Sequence, residues 1–283
     1  SGVETIGKSA NPPAAPSACH GRGSVGGSLA HESEPGTPMT ILSVDLASNR
    51  YRDIGVALLA LRDDSVVVEF IEPTTAGLRD RPNVDVLAPW LMELAARYNV
   101  EMIFIDGPQG WKEPFNGLEH SRRCERELAT PEKTGLPGVV KPQSWTRMAA
   151  FSIDLFNALA EYGYPRLAHA NDLLAGRKVA IESFPTSAWR TLSLAPLPGK
   201  ARTSATRLTS GLTALAGLVP LSLSRPPSHD ELQALIAGLA GLPWLGHSKF
   251  VNRLFGSRPT RLEGTWREGF IMNPVISNEV FPA

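Results

Sequence analysis

Three short apolar runs in this chain each end in an acidic residue. Asp45 follows Ile-Leu-Ser-Val, Asp106 follows Met-Ile-Phe-Ile, and Glu182 follows Val-Ala-Ile. A fourth acid, Asp230, opens an apolar helical segment. Continuous apolar runs are typical of strands buried on both faces, so a carboxylate is expected only where such a strand leaves the interior. Ligand sites of open α/β sheets gather beyond the carboxyl ends of the strands. We therefore expect the four acids to converge.

The remaining pattern predicts an α/β fold with a mixed sheet. Three strand-like runs follow one another closely after residue 39, which indicates an antiparallel meander, and later strands alternate with helices, which indicates parallel pairing. The predicted strands are 40–45, 54–61, 65–71, 101–106 and 178–182, and the predicted helices are 84–98, 118–129, 144–162, 203–218 and 229–242. The expected architecture is a meander followed by parallel strands, flanked by helices.

The 283 residues suffice for one domain of about 200 to 250 residues with appendages. Residues 1–38 are rich in Gly, Pro, Ser and Ala without an apolar period, and the first methionine is Met39. We expect this segment to be a disordered or appended N-terminal tail. Residues 39–283 are expected to form a single domain with a loop-rich insertion at about 107–148, where prolines interrupt the pattern.

Charge and cysteine content narrow the function classes. Lys and Arg together number 28, as do Asp and Glu, so any nucleic-acid contact must come from a local basic patch. The two cysteines lack the spacing of a zinc site. No segment reaches the roughly 20 apolar residues of a membrane helix, so we expect no membrane partner and a cytoplasmic location. Oligomeric state is left open.

Six short motifs follow one another along the chain: Val44-Asp45, Ile105-Asp106-Gly-Pro, Glu182-Ser-Phe-Pro, Leu197-Pro-Gly-Lys200, His229-Asp230-Glu-Leu-Gln-Ala234 and Glu268-Gly-Phe-Ile-Met-Asn-Pro274. Their order resembles that of the DUF429 family, which is grouped with predicted RNase H-like nucleases related to the RuvC and YqgF lineages. The resemblance covers roughly residues 39–274.

The resemblance implies an RNase H-like sheet in which Asp45, Asp106, Glu182 and Asp230 are the catalytic and metal-binding acids. One position departs from the family pattern: Gln233 stands where such proteins carry a second acid on the C-terminal helix. A glutamine offers a neutral carbonyl oxygen and no charge. The resemblance thus supports one metal ion better than two.

Carboxylates suit the expected chemistry because Mg²⁺ takes oxygen ligands. In two-metal hydrolysis of a phosphodiester, one ion activates water and the other stabilises the leaving oxygen. The expected cofactor is therefore Mg²⁺ or Mn²⁺. Each acid also has a structural alternative, as a turn former, a helix cap or a charge at a helix N-terminus. For His229, proton transfer and helix capping both remain open.

Basic side chains near these acids are candidates for binding a nucleic-acid substrate. They are Lys133, Lys141 and Arg147 in and beside the insertion, and Lys200 and Arg202 after a Pro-Gly turn. Trp111, Trp145 and Trp189 lie near these segments, where they could stack on bases or pack in the core. Whether the nucleic acid is DNA or RNA stays open.

The sequence therefore predicts a metal-dependent phosphodiester hydrolase, that is, a nuclease of RNase H-like fold. Two alternatives remain. One is a binding or scaffold protein with a degraded site, which Gln233 and the neutral net charge favour. The other is an actin-like nucleotide-binding phosphotransferase. That class requires a second domain with its own glycine-rich phosphate loop, and the sequence after Glu182 does not predict one.

Overall fold

The computed structural model describes residues 39–174 and 177–277; the predicted tail, 1–38, lies outside them. The strands are β1 (Thr40–Asp45), β2 (Gly55–Arg62), β3 (Ser65–Phe70), β4 (Val100–Asp106), β5 (Lys133–Thr134), β6 (Val140–Lys141), β7 (Val179–Ser183), β8 (Leu221–Leu223), β9 (Phe250–Leu262) and β10 (Thr265–Ile276). The α-helices are α1 (Val84–Arg97), α2 (Arg123–Glu127), α3 (Thr146–Glu161), α4 (Ala170–Leu174), α5 (Pro185–Thr191), α6 (Ala205–Leu218) and α7 (His229–Gly238).

Eight of these strands form one mixed sheet in the order β8-β3-β2-β1-β4-β7-β10-β9. β1, β2 and β3 pair antiparallel, whereas β4 is parallel to β1 and β7 is parallel to β4. The predicted fold class is confirmed as a mixed α/β sheet: an antiparallel meander is followed by parallel strands, with helices on the flanks. All five predicted strands are present, with ends that differ by at most one residue.

Two tight turns set the register of the antiparallel pairs. Asp63 and Asp64 join β2 to β3, and Glu263 and Gly264 join β9 to β10, all with positive φ. Two positive φ angles in succession match the right-handed twist of the strands, which is why Asp and Gly suit such turns. The long β9–β10 hairpin was not among the predicted elements, although Glu263-Gly264 is a recognisable turn signal.

Helices cover both faces of the sheet. On one face, α1 and α3 pack against Leu42, Val44, Ile103 and Ile105. On the other face, the core contains Ile41 and the buried apolar side chains of α7. Successive side chains of a strand point to opposite faces, so the strands are apolar on both. Buried strands of this kind leave room for polar side chains only at their ends.

The predicted insertion, 107–148, contains a two-stranded sheet of β5 and β6 and the short helix α2. The predicted helix 118–129 was too long, because α2 spans only Arg123–Glu127. The carboxylate of Glu268 accepts hydrogen bonds from the backbone N–H of Arg123 and from the side-chain amide of Asn116. These contacts hold the residues before α2 in an irregular conformation.

Within residues 39–174 and 177–277, no helix is both long and apolar enough to cross a membrane.

Candidate acidic site

Asp45 and Asp106 lie side by side at the ends of two neighbouring parallel strands. Asp45 on β1 is in register with Asp106 on β4. Residues in register on adjacent strands point to the same face, and both side chains follow Ile41 and Phe104 onto the face covered by α7. The strand-end geometry expected from the sequence thus brings these two acids together.

The two carboxyl groups share a hydrogen bond. Burial, followed by repulsion from Asp106 and the hydrogen bond to it, raises the pKa of Asp45 well above its usual value. Burial also raises the pKa of Asp106, to about 7, with smaller contributions from Glu182 and Glu132. Two carboxylates this close disfavour full ionisation of the pair, in addition to the effect of burial.

Asp230 reaches the same region from the first turn of α7. The Ser228 hydroxyl caps this helix by accepting from the backbone N–H of Glu231, and the Glu231 carboxylate accepts from the backbone N–H of Ser228, which fixes where the helix begins. The carboxylate of Asp230 is close enough to repel Asp45 and raise its pKa. Asp230 is therefore not the helix cap, and its side chain is directed to the acidic pair.

Two side chains already bind the Asp230 carboxylate. The ammonium of Lys200 donates a hydrogen bond to Asp230 Oδ2, and Nδ1 of His229 lies 2.9 Å from Asp230 Oδ1. The second ring nitrogen of His229, Nε2, donates to the carbonyl of Pro198 at 3.0 Å. His229 thus ties the start of α7 to the loop that precedes Lys200 and orients Asp230.

The side chain of Gln233 is hydrogen-bonded to a tryptophan. Its side-chain oxygen accepts a hydrogen bond of 2.7 Å from the indole N–H of Trp189, which is fully buried. The amide therefore satisfies a buried donor. At the position where the family pattern has a second acid, this chain has a structural hydrogen bond.

Glu182 belongs to a different set of contacts. It is in register with Ile105, and Ser183 is the partner of Asp106, so Glu182 is one residue out of phase with the Asp45–Asp106 pair. Its carboxylate receives two hydrogen bonds from Arg122, at 2.6 and 2.7 Å, and one of 2.9 Å from the backbone N–H of Gln109.

Arg122 is the centre of a buried ion-pair network that sequence reasoning did not identify. Its side chain is 2% exposed and also donates to Glu125, whose carboxylate accepts from the backbone N–H of Thr134. An arginine three residues before a glutamate is a weak signal for a local pair, and nothing local indicates Glu182. The network fastens the insertion to the end of β7.

A cavity of about 220 Å³ opens between the strand ends and the insertion. Asp106 and Glu182 both line it, together with Arg122, Glu132 and Trp145. Of the three tryptophans considered for base stacking, Trp145 is therefore at the cavity, whereas Trp111 and Trp189 are buried in the core. A chemical group bound in this cavity would lie beside Asp106.

The predicted substrate-binding residues are divided between two places. Lys133 and Lys141 lie opposite each other in the β5–β6 pair; the Lys133 ammonium donates to the Thr130 carbonyl, whereas Lys141 is exposed. Arg147 is half-buried in the first turn of α3. Lys200 contacts Asp230, and Arg202 is exposed two residues later.

The acids differ in their capacity to hold a metal ion. Among the described residues, no three Asp, Glu, His or Cys side chains are placed so that they could hold one. Asp45 and Asp106 do converge, and their mutual repulsion is of the kind that a cation between them would relieve. Mg²⁺ is commonly held by one or two carboxylates, with water and phosphate completing its shell. The Asp45–Asp106 pair fits one such ion. Gln233, Glu182 and Asp230 do not form a second set of metal ligands, because each is already hydrogen-bonded to another side chain of the protein.

Comparisons with known proteins add little to this geometry. No family model and no curated protein matches the chain. Among solved structures, the chain is similar to a Thermus thermophilus RuvC structure, with 11% sequence identity and a TM-score of 0.34. The match covers 71% of this chain and 91% of that one. A likeness at this level carries no functional conclusion.

Proposed function

We propose that this protein is a divalent-metal-dependent phosphodiester hydrolase that acts on nucleic acid. The observation that carries the proposal is the Asp45–Asp106 pair, placed in register at the ends of two parallel strands and beside a cavity. Asp230, brought in from α7, adds a third carboxylate near the pair. The motif order that resembles the DUF429 family supports the same function.

In this proposal, Asp45 and Asp106 hold Mg²⁺ or Mn²⁺, which would supply a Lewis acid and lower the pKa of water. Asp230 contributes negative charge from the helix side and is oriented by His229. Glu182 acts mainly through Arg122, by fixing the insertion at the cavity. The exposed cations Lys141 and Arg202, with Arg147, are proposed to bind backbone phosphates, which are recognised largely by charge.

The decisive experiment is calorimetric titration of the protein with Mn²⁺, followed by a cleavage assay. Wild type is expected to bind the ion, and Asp45→Asn is expected to lose it because one of the two carboxylates is gone. The matched control is Asp64→Asn, an identical change in the β2–β3 turn, where asparagine also tolerates a positive φ. The control should bind Mn²⁺ as wild type does.

Cleavage is then measured on single-stranded, duplex and branched DNA and RNA, with and without Mn²⁺. Metal-dependent cleavage that Asp45→Asn abolishes would support the proposal and identify the nucleic acid. Hydrolysis of ATP without cleavage of any nucleic acid would instead favour the actin-like nucleotide-binding alternative. If wild type and Asp45→Asn both fail to bind Mn²⁺, the metal-dependent function is excluded.

A second candidate is a nucleic-acid-binding protein without catalytic activity. The specific observation in its favour is that cations of the chain itself already pair with two of the four expected acids, Arg122 with Glu182 and Lys200 with Asp230. Binding of the same nucleic acids without cleavage at any Mn²⁺ concentration, and unchanged by Asp45→Asn, would favour this candidate.

A further inference from the structure

Lys200 lies between two carboxylates that come from different parts of the fold. Its ammonium donates a hydrogen bond of 2.8 Å to Asp53 Oδ1, just before β2, and another to Asp230 Oδ2 on α7. The Lys200 side chain is 50% exposed, whereas that of Asp230 is only 10% exposed. The charged end of the lysine is therefore held in the acidic region, and its stem remains at the surface.

The segment that carries Lys200 is fixed on both sides of the lysine. Before it, the Pro198 carbonyl accepts hydrogen bonds from His229 Nε2 and from Thr203 Oγ1, at 3.0 and 2.7 Å. Within it, a single turn of 3-10 helix spans Lys200–Arg202. The position of the ammonium is thus determined by the loop as well as by its ion pairs.

The charge of Lys200 acts on the metal-binding pair as well as on its direct partners. The hydrogen bond to Lys200 lowers the pKa of Asp53. The same ammonium opposes the rise in the pKa of Asp45, so it is electrostatically close to the Asp45–Asp106 pair. Four carboxylates, those of Asp45, Asp53, Asp106 and Asp230, therefore lie around a region in which Lys200 is a fixed positive charge.

A divalent ion beside Asp230 would have to displace this ammonium. If Asp45 and Asp106 hold one ion, as proposed above, Asp230 is the neighbouring acid that a second ion of a two-metal site would need. Gln233, the residue four positions after His229, offers no replacement because its oxygen is bonded to Trp189. A compact ammonium with three donors can satisfy the two carboxylates that remain.

We propose that Lys200 is a resident cation that takes the place of a second metal ion, so that the site holds a single divalent ion at Asp45 and Asp106. This inference rests on the proposed metal-dependent function. It assigns Lys200 a positioning and electrostatic role at the acidic site, in addition to the phosphate contact expected from the sequence.

The test is the number of Mn²⁺ ions bound per chain, measured by calorimetry and by equilibrium dialysis. Wild type is expected to bind one ion, and Lys200→Gln is expected to bind two, because Asp230 and Asp53 become available. Lys200→Arg keeps the charge and should bind one. Lys200→Met is a second neutral variant. The matched control is Lys178→Gln, the same change at the residue that directly precedes β7.

The second ion should disappear again in the double variant Lys200→Gln with Asp230→Asn. If both neutral variants fold, as thermal denaturation would show, and still bind one ion with wild-type affinity, the role of Lys200 is refuted. Two ions bound to wild type would also refute it while leaving the proposed function intact. If wild type binds none and Lys200→Gln binds one, Lys200 blocks the site and the proposed function fails instead.

Discussion

Gly55 and Asp230 are in backbone contact across the acidic site. A Cβ atom built on Gly55 would lie 2.2 Å from the carbonyl carbon and the carbonyl oxygen of Asp230, which is closer than any real contact allows. Gly55 is also the register partner of Asp45 on the neighbouring strand. The absence of a side chain at this one position therefore lets the first turn of α7 approach the end of β1.

Gly55→Ala is expected to displace the start of α7 and to destabilise the protein by about 1–3 kcal/mol, the usual cost of overpacking. Because Asp230 would move away from Asp45, Lys200 should also lose its fixed position. Chemical denaturation measures the first effect and Mn²⁺ stoichiometry measures the second. The control is Gly217→Ala on α6, where a Cβ meets nothing within 4 Å. That change should stabilise by about 0.5–1 kcal/mol.

Arg122→Met is expected to cost about 3–5 kcal/mol, because it leaves the buried carboxylate of Glu182 without its cation. Adding Glu182→Leu should recover part of this loss, since one unpaired charge is then removed, whereas Glu125 still lacks Arg122 and the Gln109 N–H lacks its acceptor. The free energy of unfolding from urea titration checks both values. Arg123→Met, an exposed neighbour, should change stability by less than about 0.5 kcal/mol. Equal losses in the single and double variants would contradict a dominant Arg122–Glu182 pair.

Glu182→Gln should leave Mn²⁺ binding close to that of wild type, in contrast to Asp45→Asn. The reason is geometric: Glu182 follows the register of Ile105 and not that of Asp106. The same calorimetric titration compares the two variants under identical conditions. Loss of the ion from Glu182→Gln would return Glu182 to the set of metal ligands expected from the sequence.

Gln233→Glu should not create a second metal site, although it restores a carboxylate to the helix. The new charge would lie against the buried indole of Trp189, and we expect a destabilisation of about 1–3 kcal/mol. Thermal unfolding and Mn²⁺ stoichiometry are the measurements. The matched control is Gln143→Glu, the same change at an exposed residue, which should alter neither the stability nor the number of bound Mn²⁺ ions. An additional bound ion in Gln233→Glu would show that the position can still serve as a ligand.

The pKa of Asp106, raised from 3.8 to about 7, predicts how stability depends on pH without metal. Between these values the folded protein binds more protons than the unfolded chain, so stability should fall as pH rises from about 4 to 7. Asp106→Asn removes this charge and should be more stable than wild type at pH 8 but not at pH 4. Urea denaturation at the two pH values tests this, with Asp64→Asn as the control. A constant difference between wild type and Asp106→Asn would contradict it.

Five strands of the sheet could be located from the sequence, whereas the β9–β10 hairpin and the start of α2 could not. Apolar runs and turn residues are local signals, and they located β1, β2, β3, β4 and β7 to within one residue. The hairpin of β9 and β10 was missed because its strands carry many polar and charged residues, which weakens the apolar pattern. The start of α2 was misplaced because Glu268, distant in sequence, binds the residues before it.

The sequence by itself determined that acids stand at the ends of buried strands, because a continuous apolar run admits a carboxylate only at its exit. Only the tertiary structure decided which of them meet. Register places Asp45 beside Asp106, whereas Glu182, one residue out of phase, pairs with Arg122. Lys200 reaches Asp230 across 30 residues of sequence. Register and long-range ion pairing depend on how the strands and loops pack together, and no local pattern encodes them.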